Sequence, residues 1–381
     1  MTVVRKRWLS ILVLVEWAVI AVLAGILIIV GISYGQKLST SFVTSAPTRE
    51  VASVESSPQI VFQSPTVNRT SLPSASPMET PGRATTQIKT TEFLPTSQQT
   101  SVTAGPVGRI VFTCTPDKYN QLCLMNADGS GLVRLTDRKA NDYYPSFSPD
   151  GRSITFVSNQ TGQFEIYTLN SQWGEERRVT DGVGNVAAPD ISPDGQWIVY
   201  ASKLGGDSSI WLIPREGGQP QPLTDSRWNE VDPAWSPDGK QIVFAGARGG
   251  FVELFVATVE GVDFRNLSEP GSSLPLQQVT QDVPGIGGRS SWSPDGTKLV
   301  FYAGPRGERD IYVVDVVNGV AKRLTFGGNN SGPCFSPDGD WIAFSSSRDG
   351  DHEIFIMRND GEEITQLTDN SYDDWQPSWG P

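Results

Sequence analysis

One tetrapeptide, Ser-Pro-Asp-Gly, recurs along most of the chain at a nearly constant interval. Copies begin at Ser148, Ser192, Ser236, Ser293 and Ser336, so successive copies are 44, 44, 57 and 43 residues apart. In such a string Pro presets φ, Asp bonds nearby backbone N–H groups and Gly accepts a positive φ, which predicts a tight turn between two strands. A period of roughly 40–45 residues is typical of folds that stack one supersecondary unit many times.

Each copy lies in the same succession of short strands. A strand ending in an aromatic residue or Ile precedes the turn, and an apolar strand follows it. A third strand comes after a Gly-rich turn, and a fourth ends near a pair such as Leu223-Thr224. Four short strands per repeat predict the blade of a β-propeller. Residues 106–381 are long enough for six blades of about 46 residues each.

The two ends of this region complete each other. Its beginning supplies second, third and fourth strands without a first: Arg109–Cys114, Gln121–Asn126 and Leu132–Thr136. Its end, Gln376–Trp379, repeats a first strand. One blade built from both termini would close the ring and remove an open sheet edge. The predicted fold class is therefore all-β: a six-bladed β-propeller with split-blade closure.

The 57-residue interval contains an insertion of about 13 residues relative to the 44-residue intervals. Two segments compete for the fourth strand of that blade. Phe264–Ser268 better matches the Gly-x-x-x-x-x-Leu-Thr pattern with which other repeats end. Gln277–Gln281 instead keeps the usual spacing to the first strand of the next repeat. Both stay open at this point, and with them the face on which residues 261–285 lie.

The repeat resembles that of the TolB-type β-propellers. Pro-x-Trp/Phe-Ser-Pro-Asp-Gly, Glu/Asp-Ile-Tyr/Phe and Leu-Thr-Asp carry the resemblance, as in Pro233–Gly239 and Pro333–Gly339, and it covers residues 106–381. It implies a channel mouth that binds partner proteins and, in some members, a cation such as Ca²⁺. TolB has an α/β domain before its propeller, where this chain has a different N-terminal region. Oligopeptidases with similar propellers carry a hydrolase domain with a Gly-x-Ser-x-Gly elbow. The string of that form in this sequence, Gly31–Gly35, lies at the end of the apolar N-terminal run, so we do not expect that activity.

The loops that lead into the first strands differ between blades, and in a propeller they ring one mouth of the central channel. We expect a binding site there, made of Asp142, Tyr143, Glu230, Asp232, Arg289, Asp373, Asp374 and Trp375. Carboxylates and aromatic rings at a channel mouth would bind a basic peptide segment or hold Ca²⁺. The alternative is a solvated acidic rim that keeps the protein soluble. The aspartates of the Ser-Pro-Asp-Gly turns recur in every copy, so they are interpreted as structural.

The N-terminal third predicts a membrane anchor and a stalk. Residues 1–8 are basic, and 9–34 form an apolar run long enough to cross a bilayer as one helix. A cleaved signal peptide is the competing interpretation, but it would be shorter. Residues 35–105 are rich in Ser, Thr and Pro, with 32 of these between 36 and 105, and predict a disordered stalk. The basic cluster before the span predicts a single-pass protein of the cell membrane, with residues 106–381 outside the cytoplasm.

Composition excludes several classes of function. The net charge of −12 argues against non-specific nucleic-acid binding, which needs Lys and Arg to neutralise phosphates. A single histidine, His352, argues against His-cluster metal sites and His-dependent triads. Cys114 and Cys123 fall on adjacent predicted strands and either form a disulfide or are separately buried. Cys334 is expected to be buried and inert.

These features together predict a non-catalytic module that binds a protein or peptide partner in the cell envelope, with no cofactor beyond Ca²⁺ in the channel. The alternative is a propeller enzyme, a hydrolase or lyase acting on an envelope glycan or lactone. Its carboxylate donors would be Asp142, Glu230, Asp232 and Asp373. A purely structural spacer is a third interpretation.

Overall fold

The computed structural model describes residues 105–170, 174–204, 206–225, 227–267, 274–281 and 283–381. These residues form 24 β-strands in six antiparallel sheets of four strands each, and one 3₁₀ turn. The basic N-terminus, the predicted membrane segment and the stalk up to residue 104 lie outside the described residues. Within the described ranges, no helix has the length and apolar character that crossing a membrane requires.

The sheets are six blades, each listed from its first strand to its fourth. Blade 1 consists of β4 (Asp142–Phe147), β5 (Ser153–Ser158), β6 (Glu165–Asn170) and β7 (Glu176–Arg178). Blade 2 consists of β8 (Val186–Ile191), β9 (Trp197–Ser202), β10 (Ser209–Pro214) and β11 (Gln221–Pro222). Blade 3 consists of β12 (Val231–Trp235), β13 (Gln241–Gly246), β14 (Glu253–Thr258) and β15 (Leu276–Gln278).

Blades 4 to 6 repeat this arrangement. Blade 4 consists of β16 (Ser290–Trp292), β17 (Lys298–Ala303), β18 (Asp310–Asp315) and β19 (Ala321–Arg323). Blade 5 consists of β20 (Ser331–Phe335), β21 (Trp341–Ser346), β22 (Glu353–Arg358) and β23 (Thr365–Gln366). Blade 6 consists of β24 (Asp374–Gly380), β1 (Arg109–Cys114), β2 (Gln121–Asn126) and β3 (Val133–Arg134).

Blade 6 is built from both ends of the propeller. Strand β24 pairs antiparallel with β1, with Arg109 opposite Gly380 and Ile110 opposite Trp379. The six-bladed ring and its closure through a split blade are thereby confirmed. The innermost strand of blade 6 comes from the C-terminus, so the first and last strands hold each other in place.

The Ser-Pro-Asp-Gly turns owe their shape to the Ser and Asp side chains. In the first copy, Ser148 Oγ donates to Asp150 Oδ1 at 2.6 Å, and the Arg152 N–H donates to the same oxygen at 3.1 Å. Ser148 Oγ also accepts from the Ser153 N–H, at 2.9 Å. The Ser148 hydrogen bond is the main cause that keeps the pKa of Asp150 below its ordinary value. The Ser–Asp bond recurs in all five copies, which confirms the structural interpretation of these aspartates.

A second recurrent device connects the third strand to the end of the fourth. In blade 5 the Ile354 N–H donates to Thr368 Oγ1 at 2.8 Å, and Thr368 Oγ1 donates to Glu353 Oε2 at 2.5 Å. Glu353 is 2% exposed, so the threonine satisfies a buried carboxylate and a buried N–H at once. The same arrangement explains the Leu-Thr or Val-Thr pair that ends most repeats.

The core is distributed between the blades. Six clusters of buried apolar side chains each span two neighbouring blades. Trp379 of blade 6, for example, shares a cluster with Trp341 and Ile354 of blade 5. Burying an Ile or Phe side chain stabilises a fold by about 1.5–3 kcal/mol. Each blade therefore packs one face against each of its two neighbours, and closure of the ring buries the two faces that would otherwise be exposed at its ends.

The insertion lies in blade 3, where Leu276–Gln278 pairs with β14 as the fourth strand. This settles the choice in favour of the segment that keeps the usual spacing. Phe264–Asn266 forms the 3₁₀ turn instead. The Phe264 ring packs edge-on against Trp197 and Trp235, with centroid distances of 5.4 and 5.8 Å. It therefore extends the core between blades 2 and 3.

Blade 6 carries the only disulfide found in the described residues. Cys114 of β1 and Cys123 of β2 are joined, with their Cα atoms 5.9 Å apart. Both side chains are buried in the cluster shared with blade 5. Cys334, in the same cluster, is a free buried thiol whose pKa is raised to about 12 by burial. The disulfide left open by the sequence is thus present in the split blade.

Candidate functional site

The first strands of the six blades surround a central channel that contains a cavity of about 340 Å³. At the face that carries the Ser-Pro-Asp-Gly turns, the hairpin face, prolines from all six blades border the cavity. We call them the proline ring: Pro149, Pro193, Pro237, Pro294, Pro337 and Pro381. Pro381, the last residue, supplies the sixth position. A Cβ on Gly151 would lie 2.9 Å from Pro381, so only glycine, with its φ of 65°, fits there.

A bulge near the start of the first strand turns one residue of most blades toward the channel. These bulge residues have positive φ in five blades: Tyr144, Ala188, Asp232, Gly332 and Gln376. The register of their strands shifts at the same place, and proline follows each of them. Blade 4 differs, because Arg289 occupies the position and Ser290 replaces the proline. Arg289 does not have a positive φ, and its strand pairs without a shift in register.

Arg289 extends across the channel to the opposite side of the ring. Its Nη2 donates a hydrogen bond of 3.0 Å to the carbonyl oxygen of Pro145 in blade 1. Its Nη1 is buried and, among the described residues, has no hydrogen-bond partner. A buried donor that is left unsatisfied costs roughly 1–3 kcal/mol, and more when it is charged. The guanidinium is therefore held in place with part of its donor capacity unused.

Asp232 lies beside this cation. Burial raises the pKa of Asp232 to about 6, while the positive charge of Arg289 lowers it. A Cβ on Gly288 would collide with an oxygen of Asp232. Glycine at 288 therefore lets the carboxylate approach the backbone next to Arg289. The acid is consequently poised to change its charge in a mildly acidic medium.

Two tyrosines and a glutamine surround the charged pair. Burial raises the pKa of Tyr144 to about 12, and the charge of Asp232 adds to the effect. Tyr302 donates from its hydroxyl to the carbonyl oxygen of Gly287 at 2.8 Å. Gln376 Oε1 accepts from the Tyr144 N–H at 3.0 Å. Polar groups of several blades thus converge around Arg289 in the channel.

A ring of hydrogen bonds between blades supports the channel wall. Asp190 Oδ1 accepts from Ser146 Oγ in blade 1, and Asp190 Oδ2 accepts from the Trp235 N–H in blade 3, both at 2.8 Å. At the same position of the repeat, Ser378 Oγ accepts from the Phe147 N–H at 3.3 Å. Sequence reasoning missed these residues. Aligning the six first strands would have shown the recurring oxygen-bearing side chain two positions after the bulge.

Three carboxylates that the sequence places at the channel mouth are buried and serve the blades instead. Asp142, Glu230 and Asp374 are each 0% exposed, because they occupy equivalent positions just before the bulge. Asp142 forms an ion pair of 3.1 Å with Arg138. The expectation that they face the channel mouth is therefore corrected.

The other two members of this trio also have specific partners. Glu230 accepts a hydrogen bond from Arg248 Nε at 2.9 Å. Asp374 accepts from Asn370 Nδ2 at 2.7 Å, and burial raises the pKa of Asp374 to about 7. Each carboxylate is thus bound through one oxygen, while Glu230 Oε2 and Asp374 Oδ1 are buried and have no hydrogen-bond partner among the described residues.

The remaining predicted residues lie on the face opposite the hairpin face. Tyr143 and Trp375 meet edge to face with their ring centroids 5.9 Å apart, and Asn120 donates to the Tyr143 hydroxyl at 2.8 Å. Asp373 is exposed and accepts from the His352 N–H at 3.0 Å. Of the predicted site, the structure therefore brings together Tyr143 with Trp375, and separately Asp232 with Arg289 in the channel.

No cation site emerges from the geometry. Within the described ranges, no three His, Cys, Asp or Glu residues are arranged to hold a metal ion. Asp190 and Asp232, the carboxylates that line the cavity, lie on different blades, and both oxygens of Asp190 already accept hydrogen bonds. The expectation of Ca²⁺ in the channel thus finds no cluster of ligands.

Six four-stranded blades closed around a channel define the chain as a six-bladed β-propeller. The TolB beta propeller domain family matches residues 174–280 and 276–381, and the chain belongs to this family. TolB from Acinetobacter baumannii superimposes with a TM-score of 0.63 at 23% identity, over 72% of this chain and 67% of that one. Putative TolB from Agrobacterium tumefaciens superimposes with a TM-score of 0.55 at 21% identity, over 73% of this chain and all (100%) of that one. At these identities the likeness shows the fold.

Curated relatives share shorter stretches. An uncharacterized protein of Agrobacterium fabrum is 49% identical over 92 residues, 24% of this chain and 31% of that protein. The Tol-Pal system protein TolB of Francisella tularensis subsp. mediasiatica is 34% identical over 83 residues, 21% of this chain and 19% of that protein. The chain thus spans less than a third of the length of the curated relatives it matches.

Proposed function

We propose that this protein is a non-catalytic binding module of the cell envelope that receives a segment of a protein or peptide partner in its propeller channel. The observation that carries the proposal is the cavity of about 340 Å³, which all six blades line. It combines an apolar opening, the proline ring, with a fixed cation, Arg289. Mostly apolar cavities with a few placed polar groups are typical of binding sites.

The similarity to a Tol-Pal system protein supports a protein partner. Tyr143 and Trp375 add an aromatic pair on the opposite face, and aromatic side chains are enriched among the residues that dominate binding energies. Asp373 is exposed beside them, so this face offers a second contact surface for the same partner.

We further propose that the protein is anchored in the cell membrane by residues 9–34 and that the propeller lies outside the cytoplasm. The Cys114–Cys123 disulfide supports this location, because disulfides persist in oxidising compartments and are rare in the cytosol. The basic residues before the apolar segment support the same orientation.

The alternative function, an enzyme acting on an envelope glycan or lactone, gains no support from the geometry. It requires a metal ion or a pair of carboxylates in the channel, drawn from Asp142, Glu230, Asp232 and Asp373. Asp142 and Glu230 are buried and bound to arginines, and Asp373 lies on the exposed rim. A binding role is therefore the proposal that the site supports best.

A blocked channel tests this function. Ala234 lines the cavity, and Ala234→Trp would fill it. We expect full-length protein used as bait in envelope extracts to retain a partner that the Ala234→Trp variant loses. Gln163→Trp, at an exposed turn of blade 1, is the matched control and should retain it. If both variants retain the partner, or if both lose it, while their melting temperatures are unchanged, the channel is not the binding site.

A further inference from the structure

The channel is lined by a cation, Arg289, which among the described residues forms no direct ion pair with the two carboxylates near it, Asp190 and Asp232. The guanidinium of Arg289 is fixed by one hydrogen bond, from Nη2 to the Pro145 carbonyl oxygen, which is a neutral acceptor. The buried Nη1 has no partner among the described residues. A planar guanidinium presents paired N–H groups that match the two oxygens of a carboxylate. The unused donor thus identifies the kind of acceptor that would complete the site.

The protein itself supplies no such acceptor at Nη1. Asp190, whose charge acts on the same channel, has both oxygens occupied by Ser146 and Trp235. Asp232 influences Arg289 through its charge, and its pKa of about 6 reflects mainly its own burial. Arg289 lines the cavity, so a carboxylate there would approach its guanidinium, and neighbouring side chains would have to move slightly for it to reach the buried Nη1.

The cavity between the proline ring and Arg289 also limits the size of the ligand. Its volume of about 340 Å³ is near the lower end of the range of roughly 300–1,000 Å³ that is typical of ligand pockets. The opening at the hairpin face is apolar, since exposed prolines such as Pro149, Pro237 and Pro337 border it. A small apolar group that ends in a carboxylate fits both properties.

We infer that the channel is a carboxylate-binding site, in which Arg289 receives the carboxylate of a ligand that enters through the proline ring. The inference rests on the proposed function and names the chemistry of the group that the channel receives. The carboxylate has two sources that share this chemistry, the C-terminus of a peptide and a small organic acid. Asp232 weakens binding, because its negative charge faces the same cation.

Calorimetric titration of the full-length protein tests the inference. The probes are benzoate and benzamide, which have nearly the same shape but differ in charge, and N-acetyl-Ala-Leu with a free C-terminus or as its amide. We expect benzoate to bind and benzamide not to bind. Arg289→Met should weaken benzoate binding about tenfold to a hundredfold, which is the expected loss of a charge-assisted hydrogen-bonded pair. Asp232→Asn should strengthen it severalfold.

The matched control is Arg306→Met, which removes an exposed arginine elsewhere and should leave binding unchanged. Melting temperatures establish that each variant is folded. Binding of N-acetyl-Ala-Leu but not of its amide would identify a peptide C-terminus as an accepted source. Binding of benzoate alone would identify a small organic acid. Either result supports the site.

Equal binding of benzoate and benzamide, unchanged binding in Arg289→Met, or no binding of either benzoate or N-acetyl-Ala-Leu up to about 50 mM would overturn the inference. Its failure is distinguishable from failure of the proposed function. If Ala234→Trp loses a captured partner that Arg289→Met retains in full, the channel binds a segment without using the arginine. In that case the binding module stands and the carboxylate site does not.

Discussion

Burial raises the pKa of Asp232, the neighbouring cation Arg289 lowers it, and the effect of burial is the larger. The pKa of Asp232 is raised to about 6 from an ordinary value of 3.8. Between these two values the folded state binds more protons than the unfolded state. The contribution of this group to stability is therefore present below pH 3.8 and is lost as pH rises through about 6. The titratable groups that face Asp232 are Arg289, which is charged, and Tyr144 and Tyr302, which are neutral at these pH values.

We therefore expect Asp232→Asn to raise the free energy of unfolding at neutral pH. The gain should be about 1–2 kcal/mol, less than the full shift implies because the side chain is partly exposed to the channel. Asparagine tolerates the positive φ of 53° at this position. Urea denaturation across the acidic to neutral range measures the effect, with exposed Asp340→Asn as control. A gain that does not shrink as pH falls would contradict the assigned pKa.

At the scale of the element, the threonine that ends each fourth strand connects it to the third. We expect Thr368→Val to lower the free energy of unfolding by about 2–4 kcal/mol, because it leaves the buried Glu353 carboxylate and the Ile354 N–H without a partner. Thr365→Val is the matched control, in β23 and three residues before Thr368, where the side chain is exposed. Chemical denaturation compares the two. Equal effects would show that the hydrogen bonds add nothing beyond β-propensity.

Strands and blades were predictable because each repeat encodes its own turn. Ser and Asp of the Ser-Pro-Asp-Gly turn interact within four residues, and such local contacts can be read from the sequence. Glu230 was misplaced for the opposite reason. The partner of Glu230 is Arg248, 18 residues further along the chain, and neither residue alone shows that the other is near. Arg289 was predicted, but its contact with Pro145 spans 144 residues and depends on closure of the ring.

For the whole molecule, the split blade is where closure is secured. The Cys114–Cys123 disulfide joins β1 and β2 with a sequence separation of 9 residues. By the loop-entropy relation, a loop of this length contributes about 2–3 kcal/mol. We expect Cys114→Ser/Cys123→Ser to lower the melting temperature by several degrees.

A reducing agent should have the same effect on the wild-type protein and none on the double variant. Differential scanning calorimetry with and without reductant measures both. A double variant as stable as the oxidised protein would show that β24 and the apolar clusters close the ring unaided.

The same split blade determines how the propeller would carry a mechanical load. The chain enters the propeller at Arg109, which lies opposite Gly380, and Trp379 Nε1 donates to the carbonyl oxygen of Val107 at 2.8 Å. A pull on residues 1–104 would therefore reach β1 first. This strand lies between β24 and β2, so the load would act along its length and shear two ladders of hydrogen bonds at once. The disulfide at the far end of β1 would pass the remaining tension covalently to β2, so a load that enters at Arg109 would be shared by three strands of blade 6.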